Sequence, residues 1–375
     1  MLKRIIFFAV IIFSSCSGIK VSKDIIISEG DWIMAGGSPE QTNASAYELS
    51  PPLELMWDYN LDGGSGKNSI TVSDAVVFVT TMPGEMYSID ISSGGKIGKL
   101  NFLGKDAQTA PVILGNDVIL SYAGDKKYSL CLYDMKNSLI KWHRYYGDIQ
   151  GSPVLKGEYI YFGDLLGRFY KVRVRDGAMI WKFESGSVIN SSSAVAEESV
   201  VFGNSAGKVS CLNLNDGSLK WLFETQGPVY SSPMIYGNNV YIGSEDSFMY
   251  CLSLSTGTLK WKTNLGSKII SGSALSGNNV ITGCVDGYIY SINSESGEIN
   301  WRFASRGAIV SSPVVSGRFI YFTSLDAGLY CISTENGDLL WSYRLENKSR
   351  TTPVIWRNYL FTVGDKILYC FRGKQ

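Results

Sequence analysis

The chain has 375 residues, of which 45% are apolar and only 18% charged, and this composition excludes a disordered chain. Glycine (40 residues) and aromatic residues (13%) are abundant, which favours short strands and tight turns over helices. The formal net charge is zero, which argues against a nucleic-acid binder, and a single histidine, His143, excludes a histidine-rich metal site.

The N-terminal residues have the pattern of a secretion signal. A basic pair precedes an apolar run over residues 5–13, which is too short to span a bilayer as a helix, since that takes about 20 residues. The Phe13-Ser14-Ser15-Cys16 sequence resembles a bacterial lipobox, so we expect a lipoprotein signal peptide over 1–15 and lipid on Cys16. By the same resemblance, Ser17 favours the outer membrane. The alternative is an ordinary signal peptide with an incidental cysteine.

The rest of the chain is organised by tryptophans that recur every 40 residues. Five successive tryptophans have this spacing, one more precedes them by 39 residues, and another lies 85 residues earlier, which is two periods with one tryptophan missing. Gly98 or Lys99 stands where the missing indole is expected. Eight positions imply eight units, so we expect a tether over 16–30 and a single domain over 31–375. The tryptophans are Trp57, Trp142, Trp181, Trp221, Trp261, Trp301 and Trp341.

Each unit contains four short strand patterns. Alternating runs such as Val240–Gly243 and Phe248–Leu252 are separated by turn residues, with no room for a helix. This pattern predicts an all-β, eight-bladed propeller of four-stranded antiparallel blades, with the serine- and proline-rich strand at the axis and the tryptophan strand at the rim. The last unit ends after three strands, and residues 53–59 around Trp57 form an isolated fourth strand. We therefore expect the N-terminal strand to close the last blade.

The repeat resembles that of a known superfamily. The sequence from Leu329 to Trp341 resembles the pyrroloquinoline quinone (PQQ) enzyme repeat, whose tryptophan docks one blade onto the next, and Asp31–Gly37 resembles the head segment of that superfamily. The lipobox, the length and the blade count are similar to the BamB-like lipoproteins, the propeller subunits of the β-barrel assembly machinery. The resemblance implies a monomeric, non-catalytic scaffold without cofactor or metal. It would be lipid-anchored to the outer membrane, face the periplasm and contact the periplasmic domain of an assembly subunit.

Two alternatives stay open. A quinoprotein dehydrogenase would hold PQQ and Ca²⁺ in its channel, but the predicted inner strands supply almost no carboxylates, and Ca²⁺ takes six to eight oxygen ligands. The second alternative is a propeller that binds a small ligand or a carbohydrate in its channel. Cys211, Cys251 and Cys331 occupy equivalent positions in different units, about 10 Å apart in neighbouring blades, so we expect free buried thiols.

The loops that lead from each rim strand to the next inner strand are the predicted partner-binding surface. They differ between units, carry basic residues with few acids, and lie on a rigid scaffold, where binding sites are commonly found. We expect them to form a positively biased rim with apolar contacts near its centre. The residues assigned to it are Lys67, Lys105, Tyr230, Lys268, Ile270, Arg306, Ile309 and Arg350.

Overall fold

The computed structural model describes residues 18–101, 106–124 and 127–374. Cys16, the expected lipidation site, and Lys105 lie outside these ranges. The described residues form 32 strands in eight separate four-stranded sheets. They contain no helix of the length and apolarity needed to cross a bilayer. The predicted all-β propeller with eight antiparallel blades is confirmed.

The first four blades follow one another along the chain. Blade 1 comprises β2 (Ile70–Ser73), β3 (Val76–Thr81), β4 (Glu85–Asp90) and β5 (Lys96–Asn101). Blade 2 comprises β6 (Val112–Leu114), β7 (Asp117–Ser121), β8 (Leu130–Asp134) and β9 (Leu139–Arg144). Blade 3 comprises β10 (Val154–Lys156), β11 (Tyr159–Gly163), β12 (Arg168–Arg173) and β13 (Met179–Glu184). Blade 4 comprises β14 (Ala194–Ala196), β15 (Ser199–Gly203), β16 (Lys208–Asn213) and β17 (Leu219–Glu224).

The remaining blades complete the ring, and the N-terminal strand closes it. Blade 5 comprises β18 (Met234–Tyr236), β19 (Asn239–Gly243), β20 (Phe248–Ser253) and β21 (Leu259–Asn264). Blade 6 comprises β22 (Ala274–Ser276), β23 (Asn279–Gly283), β24 (Tyr288–Asn293) and β25 (Ile299–Ala304). Blade 7 comprises β26 (Val314–Ser316), β27 (Phe319–Thr323), β28 (Gly328–Ser333) and β29 (Leu339–Arg344). Blade 8 comprises β30 (Val354–Trp356), β31 (Tyr359–Gly364), β32 (Ile367–Gly373) and, antiparallel to β32, β1 (Leu53–Asn60).

In most blades, the rim tryptophan docks onto the blade that follows. The indole Nε1 of Trp261 donates a hydrogen bond to the backbone carbonyl of Ser294 at 3.0 Å. Trp341 instead packs its ring against Phe371, with 5.9 Å between ring centroids. An aromatic side chain covers a large apolar area, so these contacts hold neighbouring blades together. Equivalent bonds to the next blade are donated by Trp57, Trp142, Trp181, Trp221 and Trp301.

Blade 1 lacks a tryptophan, and the N-terminal segment takes its place. Gly98 pairs with Ser88 in the register in which Trp221 pairs with Cys211, so Gly98 occupies the tryptophan position. Ile19 lies directly over this glycine, because a Cβ atom added to Gly98 would lie 3.0 Å from the Ile19 Cα. The seam between blades 1 and 2 is therefore filled by a residue from outside the repeat.

The described part of the expected tether is packed against the propeller. The Ile19 carbonyl accepts a hydrogen bond from Ser138 of blade 2 at 2.7 Å. The side chains of Ile19, Val21 and Ile25 are 0, 3 and 5% exposed. Residues 18–25, which we call the rim segment, thus run along blade 2 from the rim toward the axis. Removal of the three apolar side chains from water stabilises this packing.

Residues 31–45 cross the channel at one face, and we call them the plug. In most blades, their backbone carbonyls accept a hydrogen bond from one backbone N–H of the inner strand, that of its second residue or, in blade 1, its third. These donors would otherwise line an unpaired inner edge, so the plug satisfies groups that are costly to bury alone. The donor–acceptor pairs are Val72–Trp32, Ile113–Ile33, Val195–Pro39, Ile235–Glu40, Leu275–Thr42 and Val315–Asn43.

The cysteines of the described residues are buried and form no disulfide, as predicted for the three equivalent ones. Burial raises the pKa of the Cys211 thiol to about 11 and those of Cys251 and Cys331 to about 12. These thiols are neutral at physiological pH and serve as small apolar side chains under the rim tryptophans, with which they pair across strands.

Candidate functional site

The two faces of the propeller differ in their loops. The turns between the first and second strands, and between the third and fourth strands, lie on the face where the plug crosses the channel, which we call the closed face. The loops between the second and third strands, and those between blades, lie on the opposite, open face. All the partner-binding residues assigned from sequence that the structure describes belong to inter-blade loops of the open face.

Within the open face, the assigned residues separate into two groups. Lys268, Arg306 and Arg350 are exposed, and Arg350 lies four residues before inner strand β30, the loop position that Tyr230 and Ile270 occupy in their blades. Lys67, Tyr230 and Ile270 are half-buried around the axis, where they line the mouth of the channel.

Ile309 is not available to a partner, which corrects the expectation for this residue. Its side chain is 0% exposed and packs over strand β23, where a Cβ added to Gly283 would lie 2.4 Å from the Ile309 Cγ2. Ile269 occupies the same place over Gly243 in the preceding blade. The recurrence of a β-branched residue at a 40-residue spacing is the sequence signal of this core position.

The open face carries mixed charge rather than the positive bias expected from the inter-blade loops. Loops between the second and third strands bring carboxylates beside the basic residues, so that Lys268 pairs with Glu245 at 2.9 Å. The backbone N–H of Arg306 donates to Asp326 at 2.9 Å. Although burial acts in the opposite direction, the hydrogen bond from the Tyr330 hydroxyl helps hold the pKa of the Asp326 carboxyl below its usual range.

An exposed apolar pair lies on the open face between blades 2 and 3. Tyr145, in an inter-blade loop, is 46% exposed, and Leu166, between β11 and β12, is 66% exposed. Their loops are joined by a hydrogen bond from the Leu165 backbone N–H to the Asp148 carbonyl at 3.0 Å. Leu166 was not singled out from the sequence. Its signal was a leucine at a turn position that holds small or polar residues in most other blades.

At the axis, the open face leads into a cup of about 260 Å³. The residue four positions before the inner strand lines this cup in blades 2 to 7, and Lys67 approaches it from blade 1. The described lining is mostly amide and hydroxyl, with apolar side chains in blades 6 and 7. The six equivalent residues are Gln108, Gln150, Asn190, Tyr230, Ile270 and Val310.

Hydroxyl groups beneath the cup mouth link neighbouring blades. The Ser152 Oγ accepts a hydrogen bond from the Ala110 backbone N–H at 3.0 Å, and Ser312 and Thr352 accept equivalent bonds from the blades before them. A proline or an apolar residue follows these hydroxyl residues in the sequence, at the start of the inner strand. These serines therefore have a structural role, and the repeat of Ser-Ser-Pro is explained by blade-to-blade bonding at the axis.

Lys67 is the cation of the cup. Its side chain reaches across the mouth, and its Nζ donates to the Ile270 carbonyl of blade 6 at 3.2 Å. Burial lowers the pKa of the Lys67 ammonium, the nearby Arg350 lowers it further, and Glu245 acts in the opposite direction.

The cup does not fit the calcium ion that the quinoprotein dehydrogenase alternative requires. Calcium takes six to eight oxygen ligands, with carboxylates prominent among them. Glu245 is the one carboxylate among the residues that line the cup, and it is paired with Lys268. No group of three or more histidine, cysteine, aspartate or glutamate side chains gathers as a metal site in the part of the chain that the structure describes.

A family model described as "Outer membrane protein assembly factor BamB" matches the chain over three overlapping stretches, residues 47–187, 167–301 and 285–374. The chain belongs to this family. All eight blades of this BamB-family propeller, including the closing strand β1, lie within the matched residues. The sequence matches no curated protein.

Solved structures resemble this BamB-family chain in fold. BamB from Moraxella catarrhalis superposes with a TM-score of 0.73 at 15% identity, over 87% of this chain and 99% of that one. A europium-containing methanol dehydrogenase gives 0.78 at 11% identity, over 92% and 98%. The computationally designed Ika8 protein gives 0.73 at 16% identity, over 84% and 98%. Identities this low show the fold alone, since scaffolds and enzymes share it.

Proposed function

We propose that this BamB-family chain is a non-catalytic scaffold that supports the assembly of β-barrel proteins in the outer membrane. The observation that carries the proposal is the family match, which spans every blade. The proposed partner is the periplasmic domain of a β-barrel assembly subunit, bound by a monomeric propeller. The dehydrogenase alternative gains no support from the cup, because its donor set does not suit calcium.

The open face is the proposed docking surface. The closed face is occupied at its axis by the plug, and its turns are short and alike in most blades. On the open face, Tyr145 and Leu166 offer an apolar contact between blades 2 and 3, and Lys268, Arg306 and Arg350 add charge in the loops between blades 5 and 8.

Leu166→Glu tests the docking surface. Because it places a charge where an apolar contact would be desolvated, we expect it to reduce co-purification of the assembly subunit by about tenfold or more. The measurement is quantitative pull-down of the membrane-extracted protein in mild detergent. Reversal of Arg306 and Arg350 to Glu should have a smaller effect, mainly on the association rate.

Leu219→Glu is the matched control, since Leu219 is also exposed (48%) but lies on the rim strand of blade 4. We expect this variant to retain the partner. Loss of the partner in Leu219→Glu, with full retention in Leu166→Glu, would assign docking to the rim strands instead of the open face.

The proposed anchor is a lipid on Cys16, which places the protein at the outer membrane facing the periplasm. Two acyl chains anchor a protein stably, whereas one binds only marginally. Since the rim segment is packed from residue 18 onward, such an anchor would hold the rim of blades 1 and 2 close to the membrane. Mass spectrometry of the mature N terminus should find a diacylated Cys16, and a free thiol there would contradict the anchor.

A further inference from the structure

We propose that the axial cup of the open face binds a small oxyanion, a carboxylate or phosphate group carried by a polar molecule, with Lys67 as its main contact. This goes beyond the scaffold function and does not depend on it. The inference rests on the unused donors of Lys67, an unpartnered buried hydroxyl in the cup wall, and the shape and charge of the cup.

The Lys67 ammonium has hydrogen-bond donors without an acceptor among the described residues. An ammonium group carries three N–H donors. Among the described residues, its Nζ has one acceptor, the Ile270 carbonyl at 3.2 Å. The side chain extends from blade 1 across the mouth toward blade 6, so the remaining donors lie in the path of a molecule that enters the cup. A half-buried cation of this kind is stabilised by an anionic ligand, because charge-assisted hydrogen bonds are the strong ones.

The wall of the cup presents a hydroxyl that the fold leaves unused. Ser191 lines the cup, is 4% exposed, and its Oγ has no hydrogen-bond partner among the described residues. In the next blades, the equivalent Ser231 and Ser271 donate to the carbonyl of strand two in their own blade. A buried hydroxyl without a partner costs free energy, so a ligand oxygen in the cup would supply a missing bond. The Asn190 Oδ1 is also buried without a partner, and because an amide oxygen only accepts, it would pair with a donor of the molecule that carries the oxyanion and not with the oxyanion itself.

The size and charge of the cup favour a small anion. Its volume of about 260 Å³ lies just below the usual range of ligand pockets, about 300–1,000 Å³, which suits a compact polar molecule. Glu245, the single carboxylate of the lining, is engaged by Lys268 at 2.9 Å. Arg350 lies close enough to Lys67 to lower the pKa of its ammonium. The charge that faces a ligand is therefore positive, which attracts oxyanions and repels metal cations.

The test is calorimetric titration and thermal unfolding of the full-length protein with three probes at constant ionic strength. Sodium gluconate supplies a carboxylate on a sugar chain, sodium phosphate supplies the phosphate alone, and glucose is the neutral comparison for gluconate. We expect at least one of the two oxyanions to bind and to raise the melting temperature, as a ligand of the native state does, at concentrations where glucose has no effect. Which of the two binds identifies the source of the oxyanion.

Four variants connect the binding to the cup. Lys67→Gln removes the charge and should weaken oxyanion binding by about tenfold or more, whereas Glu245→Gln should strengthen it. Asn190→Asp keeps the shape of the wall and should weaken binding by repulsion, which preserves the test if Lys67→Gln folds poorly. Lys348→Gln, at an exposed lysine outside the cup, should bind as the wild type does.

Three results would overturn the proposal. The first is the absence of any thermal shift or heat with both oxyanions. The second is binding of glucose as tight as that of gluconate. The third is an unchanged affinity in both Lys67→Gln and Asn190→Asp, which would place the bound anion outside the cup.

Discussion

At the scale of single residues, the contact between a rim tryptophan and the turn glycine of the next blade accounts for the most regular feature of the sequence. Gly297 has a φ of 77°, and a Cβ added to it would lie 2.7 Å from the Trp261 indole. Glycine is required at this position for two reasons. It adopts a positive φ without strain, and its lack of a side chain leaves room for the Trp261 ring. Gly277 has a φ of 55° but no atom within 4 Å of an added Cβ.

These two glycines allow the docking contact to be measured apart from backbone strain. We expect Gly277→Ala to lower the free energy of unfolding by about 1–2 kcal/mol, the cost of a left-handed alanine. Gly297→Ala should cost about 1–3 kcal/mol more, because the methyl group displaces the indole. Chemical denaturation measures both. In a Trp261→Ala background the additional cost of Gly297→Ala should vanish, and equal costs of the two glycine substitutions in the wild type would contradict the docking role.

At the scale of elements, the rim segment substitutes for a missing side chain. The sequence correctly indicates that one unit lacks its tryptophan, and it predicts that this blade is the least stable. It could not indicate that Ile19, 79 residues earlier, covers Gly98, because a single apolar residue outside the repeat has no periodicity to identify it. The stability expected of blade 1 must therefore include the contribution of residues 18–25.

Ile19→Ala tests whether the rim segment stabilises this seam. The side chain is 0% exposed, so we expect a loss of about 2–4 kcal/mol from buried volume and contacts. Hydrogen exchange should become faster in β5, β8 and β9 than in the other blades. Ile26→Ala is the control, since Ile26 belongs to the same N-terminal stretch but is 67% exposed, and it should change stability by less than about 0.5 kcal/mol. Similar exchange patterns in the two variants would contradict the idea that Ile19 takes the place of the missing tryptophan.

At the scale of the whole molecule, repetition decides what the sequence could predict. The blade count, the closing strand and the free thiols all follow from residues that recur at a fixed spacing, and they are confirmed. The plug, the acidic loops beside the basic rim, and the burial of Ile309 were missed. The plug is a unique segment without a strand pattern. The acidic loops become neighbours of the basic residues only when adjacent blades are assembled. The burial of Ile309 did have a periodic signal, the β-branched residue that recurs at Ile269 and was not used.

The ring is closed by two N-terminal elements, and the rim segment can be removed without either of them. Strand β1 covers the edge of β32 from Leu53 to Asn60, and the plug satisfies the inner edges. A chain that begins at residue 31 keeps both elements, and we expect it to remain a folded monomer with lower stability. A chain that begins at residue 61 loses both.

In that shorter chain, the whole length of β32 becomes an unpaired edge at the rim, and the inner strands lose the plug. Such an unpaired edge pairs with other chains. We therefore expect it to oligomerise or unfold, as measured by light scattering after size-exclusion chromatography and by thermal unfolding. The chain that begins at residue 31 controls for the loss of the rim segment and of everything before it. A monomeric chain from residue 61, with the melting temperature of the chain from residue 31, would show that seven complete blades close the ring without the N-terminal clasp.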